Sequence, residues 1–79
     1  MDYRNYISRD SGICGGEPVV RGTRVPIRTI LASLVEGATD AEIVAAFPSI
    51  TEDDVRAVIA FAAASAEEDL PVLAAPFVS

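Results

Sequence analysis

Between residues 27 and 35 apolar side chains recur at helical spacing, Ile27, Ile30, Leu31, Leu34 and Val35, and the pattern stops at Gly37. That spacing predicts an amphipathic helix whose C-terminal cap is the glycine, since a left-handed residue there is least strained without a Cβ. Pro26 suits the first turn of this helix, where a missing N–H goes unneeded. A second apolar set, Ile43, Val44 and Phe47, follows Thr39. Thr39 and Glu42 together form a capping box that opens a short helix, and Pro48 ends it. Thr51 with Asp54 starts the longest helix in the same way. It runs from about Glu52 to Asp69 and carries Val55, Val58, Ile59 and Ala62 on one face.

Before residue 26 the period changes. Tyr6-Ile7-Ser8 reads as a short strand entering the turn-rich Arg9-Asp10-Ser11-Gly12, and Cys14-Gly15-Gly16 is a second breaker. Val19-Val20 and Arg24-Val25 read as two strands joined around Arg21-Gly22-Thr23, with Gly22 free to take positive φ. Pro26 cannot donate to a ladder, so that strand is an edge or ends there. The layout is mainly α: an N-terminal β-hairpin followed by a three-helix helix-turn-helix, homeodomain-like bundle. Residues 1–69 form that single domain, and 70–79, LPVLAAPFVS, form an apolar C-terminal tail.

Seventy-nine residues support one small core, burying about 60% of the unfolded surface. Much of the 51% apolar fraction is alanine, which buries little area, so dimerisation is an expected support. No apolar run approaches the ~20 residues of a membrane span, and no cleavable leader precedes Tyr3. A cytoplasmic protein with no membrane partner is therefore expected. The single cysteine, Cys14, fits a reducing compartment and reads as a small hydrophobe beside the glycine turn.

The net charge of −6 is uneven. Residues 1–30 hold five arginines against three acids, whereas 31–79 hold Arg56 against nine. Overall acidity disfavours nonspecific nucleic-acid binding, so any such contact must come from the basic end. With no histidine, no lysine and a lone cysteine, Cys–His nucleophilic catalysis, His-ligated zinc and Schiff-base chemistry lack their residues. GICGGEP matches neither a dinucleotide fingerprint nor a phosphate loop. Glu52, Asp53 and Asp54 sit where a helix N-terminus favours negative charge, by ~0.3–1 kcal/mol each. Glu67, Glu68 and Asp69 read as a solvated helix end. No enzyme, cofactor or metal is expected.

Gly15-Gly16-Glu17-Pro18-Val19-Val20-Arg21-Gly22-Thr23-Arg24-Val25-Pro26-Ile27 carries the pattern G-x-P-x-x-x-G-T-R. With Tyr6-Ile7 before it, and Ile30-Leu31, Gly37, Glu42-Ile43, Phe47-Pro48 and Thr51 to Ala57 after it, the chain resembles the domain of unknown function 433 family over about residues 3–66. Members of that family resemble bacterial antitoxins, often encoded beside a PIN-like ribonuclease. The resemblance implies direct neutralisation of a cognate PIN-like ribonuclease toxin, with repression of the shared promoter as a dimer as a second role. It also marks Gly16, Pro18, Gly22, Thr23 and Arg24 as structural motif positions.

Arg21, Arg24 and Arg28 admit two readings: a basic patch gripping phosphates or the acidic mouth of a nuclease, or arginines that hold the hairpin. Arg24 is read as structural, bonding loop carbonyls or pairing with Glu17 or Asp10. Arg21 and Arg28 face outward and, with Arg56, are the candidate DNA contacts. A recognition helix meets the major groove with its N-terminal residues, and here those are acidic. Leu70, Val72, Leu73 and Phe77 in the tail are candidate partner contacts, in a toxin groove or packed back on the chain's own helices or a dimer mate. Tyr3, Tyr6 and Phe61 read as core or dimer contacts. A DNA-binding regulator without a toxin partner, and a module that only dimerises, are the alternatives.

Overall fold

Val19 and Val20 form the strand around which the N-terminal half is organised. The computed structural model describes residues 2–69. A 3-10 turn at Tyr3–Asn5 leads into β1 (Ile7–Ser8), and a second at Cys14–Gly16 leads into β2 (Val19–Val20). Three helices follow: α1 (Ile27–Val35), α2 (Asp40–Ala46) and α3 (Glu52–Asp69). The tail, residues 70–79, lies outside the described residues, and with it the candidate contacts placed there.

The fold is mainly helical with an N-terminal two-stranded antiparallel hairpin. Its principal ladder joins β1 to β2, with Ile7 opposite Val20 and Ser8 opposite Val19. The pairing expected between 19–20 and 24–25 survives only as a bridge between Val19 and Pro26. It is flanked by N–H donations from Val20 to the Val25 carbonyl (3.0 Å) and from Ile27 to the Pro18 carbonyl (3.1 Å). Pro26 has no N–H to extend this second ladder, and α1 begins at the next residue. β2 therefore uses both edges, and both of its side chains are buried.

Pro26 occupies the N-cap of α1, one position earlier than expected, with φ −67° and ψ 141°. At the other end Gly37 takes φ +94°. The Ala38 N–H donates to the Ser33 carbonyl and the Gly37 N–H to the Leu34 carbonyl, each at 3.0 Å. These two bonds make a Schellman cap that satisfies carbonyls the helix leaves open. Thr39 Oγ1 accepts from the Glu42 N–H (3.2 Å) and Glu42 Oε1 from the Thr39 N–H (3.0 Å). Thr51 and Asp54 repeat the exchange at α3, at 2.8 and 3.2 Å.

Val20, Ile27, Ile30, Ile43, Ile50, Val55 and Val58 form the core, with Ile7, Val25, Leu31, Leu34, Phe47 and Phe61 packed against it. Two expected core positions miss it. Val35, in the last turn of α1, is 87% exposed, and Ile59 is 45% exposed. The buried face of α3 centres on Val58 and takes in Ala57. At 100° per residue that rotation carries Ile59 to the margin. Cys14, expected as a small hydrophobe, is also exposed. Among the described residues no helix is long and apolar enough to cross a membrane.

Ile30 is fully buried, and Ile30→Ala is expected to cost about 2–5 kcal/mol in urea unfolding. Val35→Ala should stay within ~0.5 kcal/mol of the parent; an equal loss at both sites would contradict this packing. The Thr39 N–H, followed by the Thr39 hydroxyl, holds the Glu42 carboxyl below its ordinary value. A carboxyl depressed in the folded state contributes stability above its unfolded value and loses it as pH falls through the folded one. Glu42→Gln should therefore flatten the acid limb of stability against pH relative to the parent chain. Superimposable limbs would remove the capping carboxylate from the account.

Candidate functional site

The G-x-P-x-x-x-G-T-R stretch, Gly16–Arg24, runs from the second 3-10 turn through β2, and its last four residues form a tight loop leading towards α1. Gly22 takes φ +79°, in the left-handed region that strains a side chain. Thr23 then locks the turn: its N–H and Oγ1 both donate to the Val20 carbonyl, at 3.0 and 2.7 Å. The same Oγ1 accepts from the Val25 N–H at 3.1 Å. Arg24 lies between these bonds, and its own carbonyl accepts from Cys14 Sγ at 3.4 Å. Its backbone is thus held on both sides by neighbours, while its side chain is exposed.

The arginines divide differently from the sequence expectation. Among the described residues the Arg24 guanidinium has no hydrogen-bond or ion-pair partner; it does not pair with Glu17 or Asp10. Arg28 takes the pairing expected of Arg24, with its Nε 3.2 Å from Glu17 Oε2, side chains 75% and 39% exposed. A pair this open contributes at most ~1 kcal/mol. Arg21 Nη2 donates to the Arg4 carbonyl at 2.9 Å, and its backbone N–H to the Tyr6 carbonyl at 2.7 Å, so the side chain helps to fasten the N-terminal turn to the loop. Arg56 is exposed on α3, on a different element from the other three.

Two shallow grooves flank this loop. One, of about 260 Å³, is lined by Glu17, Pro18, Ile27, Arg28 and Leu31. The other, of about 230 Å³, lies between the N-terminal turn, β1 and α3, lined by Tyr3, Arg4, Ile7, Ser8, Arg9, Pro18 and Phe61. There the Tyr3 and Phe61 rings meet edge to face, with centroids 5.6 Å apart and planes at 83°. Pro18 lines both grooves. Arg4 and Arg9 were not singled out from the sequence; the signal was their place on either side of the strand Ile7–Ser8. The sequence reading of Tyr3 and Phe61 as packing residues agrees with their contact here.

At the opposite end of the charge distribution, Glu52 and Asp53 are exposed in the first turn of α3, and Asp54 is engaged by Thr51. Phosphate oxygens approaching this helix end along a major groove would meet two free carboxylates. Among the described residues no three His, Cys, Asp or Glu side chains converge in a way that could hold a metal ion.

A family model described as a protein of unknown function, DUF433, matches residues 7–62. An uncharacterised protein, y4eO, of Sinorhizobium fredii is 36% identical over 62 residues, covering 78% of this chain and 28% of its own length. The crystal structure of a DUF433 member from Anabaena variabilis superposes with a TM-score of 0.73 at 34% identity, covering 82% of this chain and 64% of that one. This chain thus spans about a quarter of the first relative and under two thirds of the second.

The loop geometry separates its two neighbouring residues experimentally. Thr23→Val leaves the Val25 N–H without an acceptor and is expected to cost about 1–3 kcal/mol in denaturant unfolding. Arg24→Gln, which removes only the charge and fork, should stay within ~0.5 kcal/mol of the parent. A large loss for Arg24→Gln would return that side chain to the scaffold.

Proposed function

The chain belongs to the DUF433 family, whose function is unknown, and from that premise we propose that it is a cytoplasmic, non-catalytic binding module. It neutralises a PIN-like ribonuclease partner by direct contact, in the manner of an antitoxin. One observation carries the reading: the fold fixes the backbone of Arg24 through Thr23 and Cys14 and leaves the guanidinium exposed. A planar fork of five donors, exposed on a fixed backbone, suits a carboxylate ligand, which it can grip bidentately. The ribonuclease of the antitoxin reading presents such an acidic mouth. Arg21 and Arg28 flank the fork as exposed charge, and long-range attraction between this end and an acidic site speeds encounter.

The exposed Glu52 and Asp53 favour a protein partner over promoter DNA. DNA binding, if it occurs, rests on Arg21, Arg28 and Arg56 as phosphate contacts, and its affinity falls steeply with salt.

The expected result of purification from the native cell is a stoichiometric complex with a small ribonuclease, whose RNA cleavage the added chain suppresses. In that complex Arg24→Glu is expected to weaken binding by roughly tenfold or more at low salt, since a like charge then faces the acidic mouth. Recovery of the chain alone or with DNA only would overturn the reading, as would unchanged affinity in the charge-reversed variant.

A further inference from the structure

The sheet holds two strands, β1 and β2, and the far edge of β1 borders the groove beside Phe61. The Arg21 N–H donates to the Tyr6 carbonyl at 2.7 Å, and Ser8 stands opposite Val19, so the ladder bonds come from the residues on either side of Ile7. Antiparallel alternation then aims the Ile7 N–H and carbonyl off the outer edge of β1. Val20, opposite Ile7, fits that register by donating its N–H the other way, to the Val25 carbonyl at 3.0 Å. The Ile7 side chain packs on the core and, with Tyr3, Pro18 and Phe61, gives the groove a mainly apolar lining. The groove volume of about 230 Å³ lies below the roughly 300–1,000 Å³ of sites that enclose a small molecule. It suits one large side chain of a longer segment.

Arg4 and Arg9 also line the groove, and both are exposed. Three acids lie in residues 1–30, and each is already engaged. Asp2 accepts from the Arg4 N–H at 3.0 Å, Asp10 from the Gly12 N–H at 2.8 Å, and Glu17 meets Arg28 at 3.2 Å. The part of α3 around Phe61, Ala57 to Ser65, carries no charge. Among the described residues neither guanidinium has a carboxylate partner. We propose that this groove and the outer edge of β1 together bind an extended peptide segment of a partner protein. The segment has a large aliphatic anchor and a carboxylate two positions to either side. Pairing with Ile7 adds it to the edge through main-chain bonds. The residue opposite Ile7 then shares its sheet face and enters the groove. Residues two positions away lie on that same face and carry their carboxylates towards Arg4 and Arg9. The site shares no residue with the Arg24 contact, so it stands whether or not the partner is a ribonuclease.

The test titrates the isotope-labelled full chain with the capped peptide acetyl-Gly-Glu-Thr-Leu-Thr-Glu-Gly-amide. The resonances of Tyr3, Ile7, Ser8 and Phe61 are expected to shift in a saturable way while those of Ile43 and Ile50 stay in place. Lysine at both glutamates of the peptide, or Arg4→Glu with Arg9→Glu in the protein, should weaken binding roughly tenfold or more at low salt. Added salt should shrink that difference, and unmoved Ile43 and Ile50 resonances show that the double variant keeps its fold. N-methylation of the peptide leucine removes the N–H that meets the Ile7 carbonyl and should weaken binding by about tenfold. Unshifted groove resonances, an affinity indifferent to both charge reversals, or equal binding of the N-methyl peptide would each overturn the proposal. Groove resonances that move on dilution of the free chain would replace the peptide by a second copy as the occupant. Contacts to the Tyr3 and Phe61 rings from within the free chain, which the peptide does not displace, would replace it by the chain's own residues.

Discussion

The fold depends on a two-residue strand that is used on every side. Val19 and Val20 pair with Ile7–Ser8 along one edge, and the chain around Val25 and Pro26 closes on the other. Both side chains are buried. A strand this short gains little from its own hydrogen bonds, and two-stranded ribbons are marginal in water. What holds it is the packing of Val20 against Ile27, Ile30 and the α2–α3 residues of the core. The dependence runs the other way too. Ile27, the first residue of α1, donates its N–H to the Pro18 carbonyl, so the start of the helical bundle is tied to the residue just ahead of the strand. Sheet and helices are two readings of one packing problem.

Much of this was legible in the sequence where the information is local. The capping boxes at Thr39 and Thr51 and the Gly37 cap each need only three to five residues to specify themselves, and each forms with its expected partners. Helix boundaries followed from them closely: α1 and α3 run over the spans that spacing and caps predicted. Where the expectation slipped, the cause was long-range. Ile7 pairs with Val20 across thirteen residues, and nothing in either dipeptide names the other. Val35 and Ile59 fit the apolar period of their helices, yet which arc of a helix is covered is decided by its neighbours. With Val58 and Ala57 facing inward, Ile59 is turned toward solvent.

The candidate site was less legible, for the same reason. Sequence marked the three arginines of the loop, but their division of labour depends on where each backbone position points. Arg21 lies beside the N-terminal turn and donates to the Arg4 carbonyl. Arg28, in the first turn of α1, is brought next to Glu17. Arg24 is left over. Arg4 and Arg9 joined the picture only because the N-terminal turn and the chain around β1 bring them to the same groove as Phe61. A charged side chain carries almost no periodic signal, so its role is read from geometry or not at all.

The loop between β2 and α1 also shows how one short motif divides scaffold from surface. Gly22 supplies the backbone turn and the Thr23 hydroxyl accepts from the Val25 N–H, which would otherwise go unpaired, while adding a second donor to the Val20 carbonyl; removing either breaks local structure. Arg24 follows immediately and contributes its carbonyl, which any residue would supply, while its guanidinium finds no partner among the described residues. An arginine retained only for the fold would be expected to spend its donors on the carbonyls around it, as Arg21 does. Mounting a long cation on a fixed backbone while leaving its head group solvated gains no folding stability, since its charge is screened and its rotamers stay free. It does lower the ordering cost of a later contact, because the backbone on either side is already fixed. That asymmetry, a rigid mount and an unspent head group, is the physical argument for a ligand at this end of the molecule.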